Sequence, residues 1–326
     1  MTAKEQWKAF YDHKYTGNTV PSPEGMEFYF ETVGPNDRIP ALAEKGKDWF
    51  GVDWIKDGSI GVVIPDPRVK FILEDVADWR EVVQWPDLDA FDFEEAARKD
   101  GIHLVDREKK MIYMPLFTGP FERLHTLMGF ENALMALITD PEECEAFFDT
   151  FMEWRLKLME KIKEYYNPDV IMYHDDIGTQ RGLFFSLDMW RHFFKPQLKK
   201  AVDKAHELGI YFEYHSCGKV EDVIPELVEI GVDAWQGQEL NDISKLKSIT
   251  NGKLSYHPMP DYQNLVAQYV VGQITLDDVR KITREKFEAN LEGGFYYPWM
   301  PAFDDVTTTM AEEIEKLCVE YAGNPA

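Results

Sequence analysis

Residues 211–220 read Y-F-E-Y-H-S-C-G-K-V. The opening aromatic-rich run favours a strand, and Gly209 just before it stops a helical pattern. His215 and Cys217 follow, one residue apart, and then Gly218. Residues 221–230 then read as a short helix stopped by Gly231. A strand, a polar turn and a helix make one β–α unit. Two readings of His215 and Cys217 stay open: metal ligands, or the polar end of a buried strand.

The same unit recurs on both sides. Residues 111–117 read as a strand, followed by the loop T-G-P-F. A long helix is expected over 140–166, with Asp140 as N-cap, Pro141 in the first turn and Glu143 three residues on. A strand is expected over 169–173 and a helix over 186–208, kinked at Pro196. Further strands are expected over 232–236, 254–256 and 295–297, and a helix over 275–291. Strands alternating with helices at this spacing imply parallel pairing through right-handed crossovers. The expected fold is α/β, a single (β/α)8 TIM barrel. Residues 1–105 are less regular, rich in Pro, Asp and Trp, and are expected to wrap the barrel within one domain spanning 1–326.

Composition narrows the function. The 326 residues carry a net charge of −24, which repels phosphate backbones and anionic lipid, so no nucleic-acid or membrane partner is expected. With 44% hydrophobic residues the chain is globular, and no apolar run is long enough for a membrane span. The first ten residues lack the apolar core of a signal peptide, so a cytoplasmic location is expected. Three cysteines are too few for a disulfide framework. Cys144 and Cys318 fall on apolar helix faces and read as core thiols; only Cys217 sits beside a polar partner.

In such barrels the chemistry gathers where strands end. His174, Asp175, Asp176, Gln180 and Arg181 follow the 169–173 strand. His215, Cys217 and Glu221 follow the next, then Gln236, Gln238 and Glu239, then His257, then Pro298, Trp299 and Met300. Each has a plainer reading. Asp175 and Asp176 can cap a helix or pair with Arg181. Glu221 can oppose a helix dipole. His257 can be a hydrogen-bonded strand end.

At these residues the chain resembles the uroporphyrinogen decarboxylase superfamily. The resemblance rests on H-D-D-I-G-T-Q (174–180), F-S-L-D-M-W-R-H-F-F-K-P-Q-L-K-K (185–200), H-S-C-G-K-V-E-D-V-I-P-E-L-V-E-I-G-V-D-A (215–234) and D-Y-Q-N-L-V (261–266). P-N-D-R-I-P (35–40) and L-F-T-G-P-F-E-R (116–123) fit the same pattern. The resemblance implies a single (β/α)8 barrel and one of two activities. One is uroporphyrinogen decarboxylation; the other is corrinoid-dependent methyl transfer. The decarboxylases carry R-Q-A-G-R-Y near the N-terminus to hold substrate carboxylates. This acidic chain has no such stretch, which favours the methyltransferases.

Two metal sets follow from the resemblance. The thiol-methylating branch looks like H-x-C plus a late cysteine. Here His215 and Cys217 match, while Y-Y-P-W-M-P (296–301) offers no cysteine. The O-demethylase branch looks like two Glu and a His, with fourteen and then twenty residues between them. Glu221, Gln236 and His257 have that spacing, with Gln236 departing from the pattern. The implied reaction moves a methyl group from a small methoxylated, aromatic O-methyl compound to the Co(I) of a partner corrinoid protein. Zinc or an acid would stabilise the leaving oxygen. Asp175, Asp176 and Glu239 are the expected catalytic groups. Phe117, His174, Gln180, Phe184 and Trp299 are the expected substrate contacts. Uroporphyrinogen decarboxylation and a catalytically silent ligand-binding barrel are the alternatives.

Overall fold

The computed structural model describes residues 1–29, 38, 43–57 and 63–326. Among the described residues there are nine strands: β1 (Met26–Phe28), β2 (Lys45–Lys47), β3 (Asp53–Lys56), β4 (Val63–Pro65), β5 (Met111–Leu116), β6 (Val170–His174), β7 (Tyr211–His215), β8 (Ala234–Gln236) and β9 (Ser255–Tyr256). Six form a curled parallel sheet in the order β1-β5-β6-β7-β8-β9. Every residue of β5 and β6 is buried, as expected of strands covered on both faces. Helices join successive strands, as the alternating pattern predicts.

The closed eight-stranded barrel expected from the sequence is only partly present. Tyr296 makes a single parallel bridge to Tyr256 and extends the sheet no further among the described residues. Backbone bonds nevertheless tie this segment to β9 and the loop after it: the Tyr256 amide donates to the Phe295 carbonyl at 2.7 Å, the Tyr297 amide to Tyr256 at 2.9 Å and the Trp299 amide to Pro258 at 3.1 Å. Phe295 has φ +55° in the left-handed region, and Pro298 has no amide to donate on the side away from β9.

The helix expected over 140–166 spans Pro141–Tyr165. The one expected over 186–208 is broken differently from a simple kink. Leu187–Met189 leads into a wide π turn over Trp190–Phe194, and Lys195–Glu207 continues. Pro196 has no amide for the carbonyl four residues back, which favours the wider turn. Ser186 caps the start through the Met189 amide, and Gly209 ends the helix at φ +68°.

The N-terminal region packs onto this scaffold. Helix Ala3–Tyr11 buries Trp7, Phe10 and Tyr11, and Tyr11 Oη donates to Glu213 of β7. Strands β2, β3 and β4 form an antiparallel sheet. Phe50, beside it, sets its ring 5.1 Å from that of Trp154 in the long helix. No helix among the described residues is long and apolar enough to cross a membrane.

Candidate functional site

The register of the sheet builds the site. His174 pairs with His215, and His215 pairs with Gln236, so three adjacent strands end in one row. Alternation then fixes direction: Glu213 and His215 lie two apart and share the inner face. Beyond the strand ends, the loops after β6 and β7 press together. A Cβ on Gly218, already at φ +86°, would meet the Gly178 backbone at 2.3 Å. That approach brings Asp176 to Cys217, whose amide donates to Asp176 Oδ1 at 2.6 Å.

The imidazoles of His174 and His215 stack, 4.4 Å between centroids and 12° between planes. Each is tied back through Nδ1. His174 Nδ1 is 2.8 Å from Glu122 Oε2, and His215 Nδ1 is 2.7 Å from Gln236 Oε1. The Gln236 amide nitrogen donates to Tyr113 Oη at 2.7 Å and to Glu213 Oε1 at 3.2 Å. Its oxygen therefore accepts, so His215 carries its proton on Nδ1 and a lone pair on Nε2. Glu122 fixes His174 in the same sense. Both Nε2 atoms consequently turn toward Asp176 Oδ1, at 3.9 Å from His174 and 3.6 Å from His215. Cys217 Sγ stands 3.4 Å from His215 Nε2.

His174, Asp176 and His215 each offer a ligand atom, all within 4.8 Å of one another. Two imidazole nitrogens and a carboxylate oxygen, with the imidazoles held from behind, form a donor set compatible with Zn²⁺.

The charges are split across the pair. Burial opposes a charge on His174, but Glu122 and Asp176 outweigh it and hold its pKa above the ordinary value. Burial, with the neighbouring His174 charge, pushes His215 down to about 4. Burial would raise Asp176, yet the two imidazoles and the Cys217 amide keep it below the usual range. Burial and the carboxylates Asp176 and Glu122 push the Cys217 thiol up, so it stays protonated without a metal. NMR of the ring protons in metal-free protein should therefore show one imidazole titrating above pH 6.5 and its neighbour still neutral at pH 5. The stability signs are opposite. His215 contributes stability that is lost as pH falls from 6.5 through 4; His174 contributes stability below 6.5 that is lost as pH rises through its folded value. Two imidazoles titrating together near 6.5 would contradict this arrangement.

The other expected residues are placed as follows. Asp175 is buried and accepts the Glu122 and Phe121 amides at 2.9 and 3.4 Å, so it caps helix Pro120–Met128. Gly119 makes room for it; a Cβ there would lie 2.4 Å from Asp175 Cβ. Phe117 sets its ring 5.5 Å from His174. Phe184 packs on Phe130 at 4.8 Å, and Gln180 donates to Gln263 at 2.8 Å on the surface. Glu239 accepts from Tyr296 Oη at 2.5 Å and Asn290 Nδ2 at 3.0 Å, and burial raises its pKa.

Of the set Glu221, Gln236 and His257, the last two meet at Glu213 Oε1, each 3.2 Å away, while Glu221 is engaged elsewhere. Glu221 accepts from Lys245 Nζ at 2.5 Å and from the Asp242 amide, because it sits beside the start of the next helix. The Gln236 oxygen holds His215. His257 Nδ1 lies 3.2 Å from Glu213 Oε1. Sequence reasoning missed Glu122, Glu213, Tyr113 and Arg38. Glu213 carried a signal, a charge inside a buried strand two residues before His215. Arg38 lies over Phe117 at 4.3 Å, and its charge acts on His174 and Cys217. The rest of P-N-D-R-I-P lies outside the described residues.

A model of the uroporphyrinogen decarboxylase (URO-D) family matches residues 64–259, more than half of the chain. No curated protein matches it. Among solved structures, a methyltransferase from Methanosarcina mazei is similar, with a TM-score of 0.59 and 14% identity over 82% of this chain and 76% of that one. At that identity the likeness is one of fold.

Proposed function

The chain belongs to the uroporphyrinogen decarboxylase family, and on that premise we propose that it is a corrinoid-dependent methyltransferase. It takes a methyl group from a small methoxylated compound, with an aromatic O-methyl group as the favoured donor, and passes it to the Co(I) of a partner protein. The observation that carries the reading is the convergence of His174 Nε2, His215 Nε2 and Asp176 Oδ1 on one point at the strand ends. The Methanosarcina mazei methyltransferase of similar fold supports the reaction class. The reading includes a cytoplasmic, single-domain (β/α)8 barrel with 295–297 as its last strand.

The chain's own groups suit the reaction. Zn²⁺ held by His174, Asp176 and His215 would supply a Lewis acid for the leaving oxygen. Glu122 and Gln236 keep the imidazoles aimed. Phe117 offers a ring face to an aryl donor, and Arg38 places positive charge on the same wall, where a phenolate develops. As the methyl carbon passes to Co(I), the C–O bonding pair stays with the oxygen.

The test is to incubate the protein with a Co(I) corrinoid protein and a panel of methoxylated compounds. Methyl-cobalt absorbance should appear with at least one aryl methyl ether, and uroporphyrinogen should not be decarboxylated. Silence across the panel with retained ligand binding would favour the binding-barrel reading; decarboxylation would favour the other enzyme.

A further inference from the structure

A cavity borders His257, lined by none of His174, Asp176 and His215. Its volume is about 310 Å³, enough for a small ring. It opens where Phe28 of β1 faces the 295–298 segment, two stretches joined by no ladder among the described residues. Phe28, Tyr297 and Trp299 wall it from the sheet side, and Ile314 of helix Asp305–Glu320 from outside. The lining is mainly apolar; besides His257 and Glu315 it includes Tyr297 and Cys318, whose pKa values burial raises.

His257 is 1% exposed, and its Nε2 has no hydrogen-bond partner among the described residues. A buried polar atom left unpaired costs roughly 1–3 kcal/mol. Its role is fixed from the other side of the ring. Glu213 accepts from Tyr11 Oη at 3.0 Å, Tyr113 Oη at 2.6 Å and Gln236 Nε2 at 3.2 Å. With three donors converging, the carboxylate also accepts from His257 Nδ1. With Nδ1 turned to Glu213, the ring directs Nε2 among the aromatic walls, which are 5.6 Å away at Tyr297 and 6.4 Å at Trp299 between ring centroids. Glu315, exposed at the rim, repels anions.

We propose that this cavity is a binding site for a neutral, mostly apolar small molecule with one hydroxyl, such as a phenol, whose O–H is accepted by His257 Nε2. The site does not depend on methyl transfer. It can be tested by calorimetric titration of the full-length protein with phenol, toluene and benzoate. Phenol should bind saturably at one site, with toluene and benzoate each at least tenfold weaker. Ala311→Phe, which fills the cavity from the outer helix without touching Glu213, should weaken phenol at least tenfold. His257→Leu should weaken phenol while sparing toluene. The proposal is overturned if phenol fails to saturate, if toluene binds as tightly, or if Ala311→Phe leaves phenol binding unchanged. Should the His257→Leu variant not fold, the ligand comparison and Ala311→Phe still decide.

Discussion

His215→Ala should lower Zn²⁺ affinity by more than about 100-fold, measured by chelator competition on protein whose melting temperature is recorded alongside. The reasoning starts from geometry. His215 supplies one of three donor atoms, and its Nδ1 proton is already committed to Gln236. Removing an outer partner of a metal-ligating histidine typically costs about 10–100-fold, so removing the ligand costs more. Gln236→Leu should fall within that outer-partner range, because it frees the ring without deleting the donor. His174→Ala should resemble His215→Ala. Glu221→Ala should leave zinc binding unchanged, since its carboxylate meets Lys245 and the Asp242 amide. If Glu221→Ala abolished binding while His215→Ala kept it, the site would have to be rebuilt around the Glu221, Gln236 and His257 spacing.

The contrast between those two sets shows what the chain discloses. Strand ends were legible because β–α alternation and glycine stops mark them locally. That legibility placed His174, Asp176, His215 and Cys217 together, since parallel register puts the ends of neighbouring strands in one row. Side-chain direction was not legible in the loops. Glu221 and Cys217 lie four residues apart, and only the packing of Gly178 against Gly218 decides which one faces Asp176. The paired aspartates illustrate the same limit. Asp175 and Asp176 are adjacent and identical, yet one caps a helix and the other faces the imidazoles. The spacing implied by the resemblance gives Gln236 as a ligand. In the structure its oxygen faces His215 Nδ1, an arrangement that depends on Tyr113 and Glu213 from other strands.

Closure of the barrel is only partly seen, for a related reason. The 295–297 run has strand-like residues and is bonded to Tyr256, but Pro298 has no amide to donate on the side away from β9. Side chains mark the run as a strand, whereas ladder formation also depends on backbone geometry and amide supply. The cavity beside His257 occupies the same weakly paired stretch, so the feature least legible in the sequence is where the further binding site is proposed.

Arg123→Met should cost about 3–5 kcal/mol of folding stability, read from urea denaturation. Arg123 Nη1 lies 2.7 Å from Asp48 Oδ2, and both side chains are fully buried. Asp48 also accepts the Phe50 and Val52 amides, each at 2.9 Å, and Trp54 Nε1 at 3.0 Å. It thereby organises the turn between β2 and β3. Methionine fills similar volume and removes the charge, leaving a buried carboxylate held, among the described residues, by the Phe50 and Val52 amides and Trp54 Nε1. The stranded charge would then draw water into the turn. Hydrogen exchange should accordingly rise over residues 48–56 more than over β6 and β7. Adding Asp48→Asn to Arg123→Met should recover part of the loss, because it removes the stranded charge, whereas two independent sites would add. The change also tests the active-site reading. Glu122, one residue before Arg123, aims His174 through Nδ1, so a loosened helix start should weaken zinc binding as well as stability. A stability loss under about 1 kcal/mol would mean that the Arg123–Asp48 pair does not tie the N-terminal sheet to the strand-end site.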